Sequence, residues 1–255
     1  MRRLISLLTL LFLSDISTAH EVRLSTQHLK LNRQGKSGWQ QDIFAKAQFS
    51  SNWHAGINGT YLERFDIYER RLGSMVVYSP HELLTIEASY QRGLDEVELL
   101  PRDQYQLSLY HALGTGTSPF LIFQNSLYTV THLQSMRLGV ELEKISGLIL
   151  IPQVLLGQAS FTNQSEHKNI YSLGLRAVYY KESNYSFILY GYRGTEAAQG
   201  AFGRSSQTIN TLTGGLGAGL DVMEALKTEL LFDYTDFDEI NNQFLTTTFN
   251  LTWKF

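Results

Sequence analysis

The side chains best suited to acid–base catalysis are the seven histidines, and cysteine chemistry is not available because the chain contains no cysteine. A serine nucleophile needs a histidine base within hydrogen-bond reach and a carboxylate or amide that orients the imidazole. On an extended strand, a histidine two positions before a serine would share its face. None of the histidines has this spacing, and the nearest approach, His132 with Ser135, points the two side chains to opposite faces. The spacing therefore predicts no catalytic residue and no enzyme, and a lipid hydrolase or acyltransferase is the less favoured alternative.

Metal and cofactor sites are not indicated by the sequence either. No set of histidines or carboxylates recurs at a ligand spacing with a third partner. The acidic runs at 95–98 and 236–239 are typical of solvated loops. A formal net charge of −3 lacks the basic character of nucleic-acid-binding domains. We therefore expect no metal, no cofactor and no nucleic-acid partner.

Charged residues recur at alternate positions within otherwise apolar segments. If the apolar face of each segment contacts lipid, the charged residues line the interior of a closed sheet. The predicted lumen-lining residues are Lys46, Glu87, Arg137, Glu141, Arg176, Lys227, Glu229 and Asp233. Two interpretations remain open: a pore that selects its solute by charge and size, or internal ion pairs that fill a barrel without a through-path. Neither sign dominates, so a pure anion or cation filter is not indicated.

The segments that carry these charges alternate with a period of two. In residues 136–143, four apolar side chains alternate with Arg137, Gly139, Glu141 and Glu143. The same pattern occurs in 43–49, 84–91, 172–179 and 227–234. Short turns such as 50–52 interleave with longer connections such as 63–69 and 195–206, as in outer-membrane barrels. Period-two alternation with one apolar face predicts strands with two different environments.

These patterns predict an all-β chain that forms a transmembrane antiparallel up-and-down β-barrel. Counting the segments gives about 14 strands, with an even number between 12 and 16 acceptable. The single barrel domain is expected to occupy residues 20–255. An aromatic content of 12% suits two interfacial girdles, and only four prolines interrupt the chain.

The two ends of the sequence indicate where the barrel resides. Arg2 and Arg3, an apolar run over 4–13 and the small residues before His20 predict a cleaved secretory signal peptide over 1–19. The last strand places Phe249, Leu251, Trp253 and Phe255 on one apolar face. This ending resembles the sorting signal that the outer-membrane assembly machinery recognises. We therefore expect the outer membrane of a Gram-negative bacterium, with that machinery and periplasmic chaperones as partners.

Two groups combine aromatic and arginine side chains, which stack on sugar rings and bind phosphates. The candidates for contact with a saccharide or with lipopolysaccharide are Tyr61, Arg64, Arg70, Arg71, Tyr192 and Arg193. The alternative is an outer aromatic girdle with basic contacts to lipopolysaccharide phosphates.

The same groups carry a family resemblance. The aromatic and arginine pattern over 61–71 leads into a strand that ends at Tyr78-Ser-Pro80, followed later by Tyr192-Arg-Gly-Thr195 and the closing segment 249–255. In this arrangement, over most of the mature length, the chain resembles the YaiO family of outer-membrane β-barrels. The resemblance implies a barrel that occurs alongside polysaccharide-handling systems, sometimes behind helical-repeat domains, which this sequence lacks. It implies no catalytic residues.

The predicted function is that of a monomeric, porin-like barrel: a small passive channel or export conduit, with saccharides or an exopolysaccharide as the favoured cargo. A structural or surface-interaction barrel with an occluded lumen is the alternative. In a channel, the inward Gly139 and Gly174 are expected to tolerate substitution.

Overall fold

Fourteen antiparallel β-strands make up the protein in a computed structural model that describes residues 21–31, 37–64, 67–95, 100–162, 167–181, 184–198, 207–238 and 242–255. The predicted signal peptide lies outside the described residues. The strands are β1 (Glu21–Leu31), β2 (Ser37–Ser50), β3 (Trp53–Arg64), β4 (Ile67–His81), β5 (Leu84–Gly93), β6 (Asp103–His111), β7 (Thr117–Leu127), β8 (Thr131–Ile145), β9 (Leu148–Phe161), β10 (His167–Lys181), β11 (Tyr185–Ala198), β12 (Gln207–Met223), β13 (Leu226–Phe237) and β14 (Asn242–Lys254). The predicted all-β barrel of about 14 strands is confirmed.

Each strand pairs with its neighbours in the chain, and the pairing of β1 with β14 closes the barrel. Glu21 lies opposite Lys254 on one side and opposite Lys46 on the other. Closure gives every strand two hydrogen-bonded neighbours, so the sheet has no open edge. No helix among the described residues is long and apolar enough to cross a bilayer.

The outer face of the barrel is apolar and uncovered. Leu173 on β10 and Leu189 on β11 each expose 64% of their surface, and similar side chains occur at alternate positions on the other strands. A contiguous apolar belt of this extent is unstable in water. Hydrocarbon removes that cost, and the closed sheet leaves no strand edge unpaired in lipid. The outer face is therefore the lipid-facing face.

The two ends of the barrel differ in their connections. The end that carries both termini has short turns, such as 51–52, 146–147 and 224–225, and we call it the turn end. The opposite end carries the longer connections, such as 94–102 and 199–206, and we call it the loop end. One predicted loop, 63–69, is wrong in extent, because the ladder between β3 and β4 continues to the pair Arg64 and Ile67. The polar composition of this segment indicated a loop, but backbone pairing between β3 and β4 extends both strands into it.

Large aromatic side chains on the inner face lie over glycines of neighbouring strands. The pairs are Phe44 with Gly56, Phe120 with Gly139, Tyr192 with Gly174 and Tyr190 with Gly215. A Cβ built on any of these glycines would collide with the ring. The glycines thus let the rings lie against the wall, so that the wall stays thin and the rings take less space from the lumen.

Candidate functional site

The predicted lumen-lining charges all lie on the inner face. Arg176 is opposite Tyr190, and Asp233 is opposite Gly215, the glycine covered by the Tyr190 ring. Cross-strand partners share a face of the sheet. By the same register and alternation, Lys46, Glu87, Arg137, Glu141, Lys227 and Glu229 lie inward. The structure therefore gathers residues from five strands, β2, β5, β8, β10 and β13, around one interior space.

One group of inward charges is paired, near the turn end. Lys46 Nζ lies 3.3 Å from Glu21 Oε2, and Arg23 Nη2 lies 3.1 Å from Glu21 Oε1. The Arg23 guanidinium also lies 5.9 Å from the centre of the Phe44 ring. Glu21 and Arg23 were not predicted as site residues, although their spacing of two places them on one face of a strand. Glu21 is therefore the shared partner of two cations at the seam between β1 and β2.

The other predicted lumen charges are not neutralised by neighbours. Within the described ranges, the ion pairs are Arg23–Glu21, Lys46–Glu21 and Arg70–Asp95. None includes Glu87, Arg137, Glu141, Arg176, Lys227, Glu229 or Asp233. Arg137 and Glu141 are exposed although they point inward. Since an ionised group without a partner is stable only in contact with water, Arg137 and Glu141 require water beside them.

A neutral hydrogen-bonding band crosses the inner wall from β5 to β8. Ser89, Gln106, Gln124 and Ser135 are successive cross-strand partners on this face. Gln106 Nε2 donates to Ser108 at 3.0 Å, and Gln124 Nε2 donates to Ser126 at the same distance. The band presents amide and hydroxyl groups to the lumen.

The predicted saccharide or lipopolysaccharide contacts do not form one site. Arg64, Arg71 and Tyr192 point inward, whereas Tyr61, Arg70 and Arg193 point outward. The residues on β3 and β4 are also about seven strands away from Tyr192 and Arg193 on β11, so in a barrel of 14 strands the two sets lie on opposite sides. The sequence patterns grouped these residues by their position along the chain, but neighbours along a strand alternate between lumen and exterior.

A polar cluster at the loop end joins the inner wall to a loop. Thr60 Oγ1 donates to Asp42 at 2.6 Å, and Arg71 Nη2 donates to Gln104 at 3.4 Å. Glu69 is 1% exposed, and its Oε2 accepts a hydrogen bond from the backbone N–H of Leu100 at 2.9 Å. The connection between β5 and β6 is thus fastened to the inner side of β4. Sequence reasoning missed this cluster because its members come from four strands and one loop.

The expected tolerance at two inward glycines is not supported. The Phe120 ring covers Gly139 and the Tyr192 ring covers Gly174, so an added methyl group meets a ring at either position. The reason is packing between strands, which the sequence of one strand does not reveal. Among the described residues, no group of three or more histidine, aspartate or glutamate side chains has a metal-binding arrangement.

Comparison with known proteins identifies the fold. No family model matches the chain, and no curated protein matches it. Similar solved structures include the CymD monoaromatic hydrocarbon channel, with 10% identity over 94% of this chain and 90% of that chain and a TM-score of 0.62. A bacterial polysaccharide outer membrane secretin has 11% identity, coverage of 93% and 99%, and a TM-score of 0.55. An anion-selective porin from Comamonas acidovorans has 9% identity, coverage of 92% and 98%, and a TM-score of 0.51. At these identities the likeness shows an outer-membrane β-barrel fold alone.

Proposed function

We propose that this protein is a passive channel in the outer membrane of a Gram-negative bacterium, open to small polar solutes and favouring saccharides. The observation that carries the proposal is the pair Arg137 and Glu141, which are inward, exposed and outside every ion pair of the described residues. A dry or filled interior would leave both charges without a partner, at a large cost in free energy. Water in the lumen removes that cost.

The inner wall favours a neutral, hydroxyl-rich solute. The band of Ser89, Gln106, Gln124 and Ser135 offers hydrogen-bond donors and acceptors to sugar hydroxyl groups. Charges of both signs lie around it, so neither anions nor cations are strongly preferred. The resemblance to the YaiO family supports a role beside polysaccharide handling. Assembly by the outer-membrane machinery with periplasmic chaperones, contact with lipopolysaccharide and a monomeric state belong to the same proposal.

A structural or surface-interaction barrel with an occluded lumen is the second candidate. It is favoured by the loop end, where the inward Leu31, Leu62 and Glu69 are fully buried and Leu100 is fastened to Glu69. These buried side chains lie on the side of β1 to β4. The two candidates differ in whether a continuous water path remains.

Planar-bilayer conductance of refolded residues 20–255 tests the proposal. We expect steady single-channel steps that oligosaccharides reduce. Arg137→Gln should shift ion selectivity toward cations and Glu141→Gln toward anions, because each removes one charge from the water-filled path. Leu138→Val, on the outer face between them, is the matched control and should leave selectivity unchanged. No conductance from protein shown to be folded would contradict the channel and favour the occluded barrel.

A further inference from the structure

The outer wall near the loop end carries a serine between two histidines. Ser160 Oγ lies 2.7 Å from His167 Nδ1, across the pairing of β9 with β10. On the other side, His132 of β8 is the direct cross-strand partner of Ser160. All three side chains face outward, because Ser160 has the same parity along β9 as the exposed Leu156. The barrel thus places a hydroxyl nucleophile beside two imidazoles on its lipid-facing surface.

His132 is held by an amide. Its Nε2 lies 2.6 Å from Asn125 Oδ1, an oxygen that can only accept a hydrogen bond. His132 Nε2 therefore carries the proton, which leaves Nδ1 of a neutral ring free to act as a base or acceptor. A serine with a histidine in hydrogen-bond reach supplies the nucleophile and the base of an acyl-transfer site, and Asn125 fixes the second histidine beside them.

An apolar groove runs along the outer wall directly below these residues, toward the middle of the barrel. Its volume is about 820 Å³, and it crosses β4 to β9 between two rows of outward side chains. The row nearer the loop end is Ser74, Tyr90, Tyr105, Asn125, Gln134 and Gln158. The row on the other side is Val76, Ala88, Leu107, Phe123, Met136 and Leu156. One wall is therefore polar and aromatic and the other is apolar. Asn125 both lines the groove and contacts His132.

This asymmetry matches the boundary between head groups and hydrocarbon. Gln134 and Gln158 are cross-strand partners, and Asn169 of β10 extends the same outward row. Carboxamides facing hydrocarbon are costly unless they bond to a polar group. In a lipid, the ester carbonyl at the start of each acyl chain can accept a hydrogen bond from these carboxamides. The hydrocarbon part of the same acyl chain can then pack against the apolar side of the groove.

We propose that this outer-wall site hydrolyses an acyl ester of an outer-leaflet lipid, with Ser160 as nucleophile and His167 as general base. The acyl chain lies in the groove, and the ester carbonyl lies at the level of Gln158, two residues from Ser160 on the same face. The proposal concerns the exterior of the wall and is independent of conductance through the lumen.

The chemistry is ordinary acyl transfer to water. His167 Nδ1 accepts the proton of Ser160 Oγ–H as the oxygen attacks the ester carbon, and a carboxamide N–H such as that of Gln158 stabilises the oxyanion. The carbon–oxygen bond to the lipid alcohol breaks, and the alcohol leaves with the proton from His167. A water molecule then attacks the acyl-serine while His167 takes its proton. The fatty acid departs as His167 returns the proton to Ser160 Oγ, which regenerates the serine hydroxyl. His132, positioned by Asn125, borders the serine on the other side.

The test uses refolded residues 20–255 in two kinds of vesicle, one of phosphatidylethanolamine and one containing lipid A, with calcium and magnesium present to neutralise head groups. Free fatty acid is measured by mass spectrometry, and labelling by a long-chain alkyl fluorophosphonate is measured on the intact protein. We expect fatty acid from one of the two vesicles, which identifies the lipid class, and a label on Ser160.

Ser160→Ala should abolish labelling and lower release by about 100-fold or more. Ser172→Ala is the matched control, since Ser172 lies on the adjacent strand β10 but faces the lumen and does not line the groove, and it should leave both signals unchanged. His167→Gln should match Ser160→Ala in rate. Asn125→Ala should lower the rate, because it releases the His132 ring that borders Ser160, and Asn125→Asp, which still accepts from His132 Nε2, should restore most of it. A general loss of packing would not be rescued in this way.

The folded state of every variant is checked by its heat-dependent migration on a gel. The proposal is overturned if folded wild-type protein releases no fatty acid from either vesicle and takes no label. It is equally overturned if Ser160→Ala retains release or labelling. Full activity in His167→Gln, with loss only in His132→Gln, would overturn the assignment of His167 as the base.

Discussion

Arg70 holds Asp95 from two directions at the outer edge of the loop end. Its Nη2 lies 2.7 Å from Asp95 Oδ1, its Nε lies 3.2 Å from Oδ2, and its backbone N–H donates to Oδ2 at 2.6 Å. The hydrogen bonds from Arg70 hold the pKa of the Asp95 carboxyl below its ordinary value. The backbone N–H of Leu94 also donates to the Arg70 carbonyl at 2.9 Å. The chain leaving β5 is thus fastened to the outer side of β4, while Leu100 is fastened to its inner side.

Asp95→Asn should loosen this attachment. An exposed ion pair contributes about 0.2–1 kcal/mol, so at neutral pH the Leu94 amide should exchange its hydrogen about 1.4- to 5-fold faster in the variant. Because the folded pKa is depressed, the contribution is complete above the unfolded value of about 3.9 and is lost as the pH falls through the folded value. The difference between wild type and variant should therefore vanish in acid. Glu63→Gln, at the same rim, is the control, and equal exchange at neutral pH would refute the attachment.

Gly174→Ala should destabilise the barrel because the Tyr192 ring occupies the space of the added methyl group. Overpacking of this kind costs about 1–3 kcal/mol, measured by urea unfolding in lipid vesicles. Gly191→Ala is the matched control on the neighbouring strand, since its nearest neighbour to an added Cβ is the Thr213 carbonyl at 3.8 Å. Combining Gly174→Ala with Tyr192→Ser should recover stability. Equal effects at Gly174 and Gly191 would mean that the ring does not cover the glycine.

Leu230→Arg tests which face of β13 meets lipid. Leu230 faces outward and is 40% exposed, and an arginine near the bilayer midplane costs about 2–4 kcal/mol. Thr228→Arg, two residues nearer the turn end on the same face, should cost less, because the penalty falls toward the interface. The free energy of unfolding in vesicles measures both. A Leu230→Arg variant as stable as wild type would invert the assignment of inner and outer faces for this strand.

Glu21→Gln should destabilise the barrel more than Lys46→Met. The first change leaves both Lys46 and Arg23 without their shared carboxylate, whereas the second leaves Glu21 paired with Arg23 at 3.1 Å. We expect about 1 kcal/mol for Glu21→Gln and a smaller loss for Lys46→Met, since both cations are partly exposed. The midpoint of urea unfolding measures the order. The reverse order would mean that the pairs act independently of Glu21.

The sequence predicted the strands best where alternation is regular. In 136–143 the pattern identified β8 and placed Arg137 and Glu141 on its inner face, because successive side chains of a strand point to opposite sides. It failed at 63–69, where polar composition indicated a loop but pairing with the neighbouring strand extended β3 and β4. It also failed at Gly174, whose covering ring comes from another strand.

The serine and histidine arrangement shows the same limit more clearly. A search within one strand found only His132 with Ser135, which point to opposite faces. The structure instead brings Ser160 between His132 and His167, each from a different strand. Those partners depend on how far each strand is shifted against the next, which is set by turn lengths and by bulges such as the one between Leu142 and Ile145.

The sequence by itself therefore determined the periodicity of two, and with it the barrel class and the inner or outer side of each strand residue, because these follow from local backbone geometry. The tertiary structure alone decided which residues meet across strands: Glu21 with Lys46, Tyr192 with Gly174, and Ser160 with His167. These contacts depend on register and closure, which are properties of all 14 strands together and are not encoded in the pattern of any one of them.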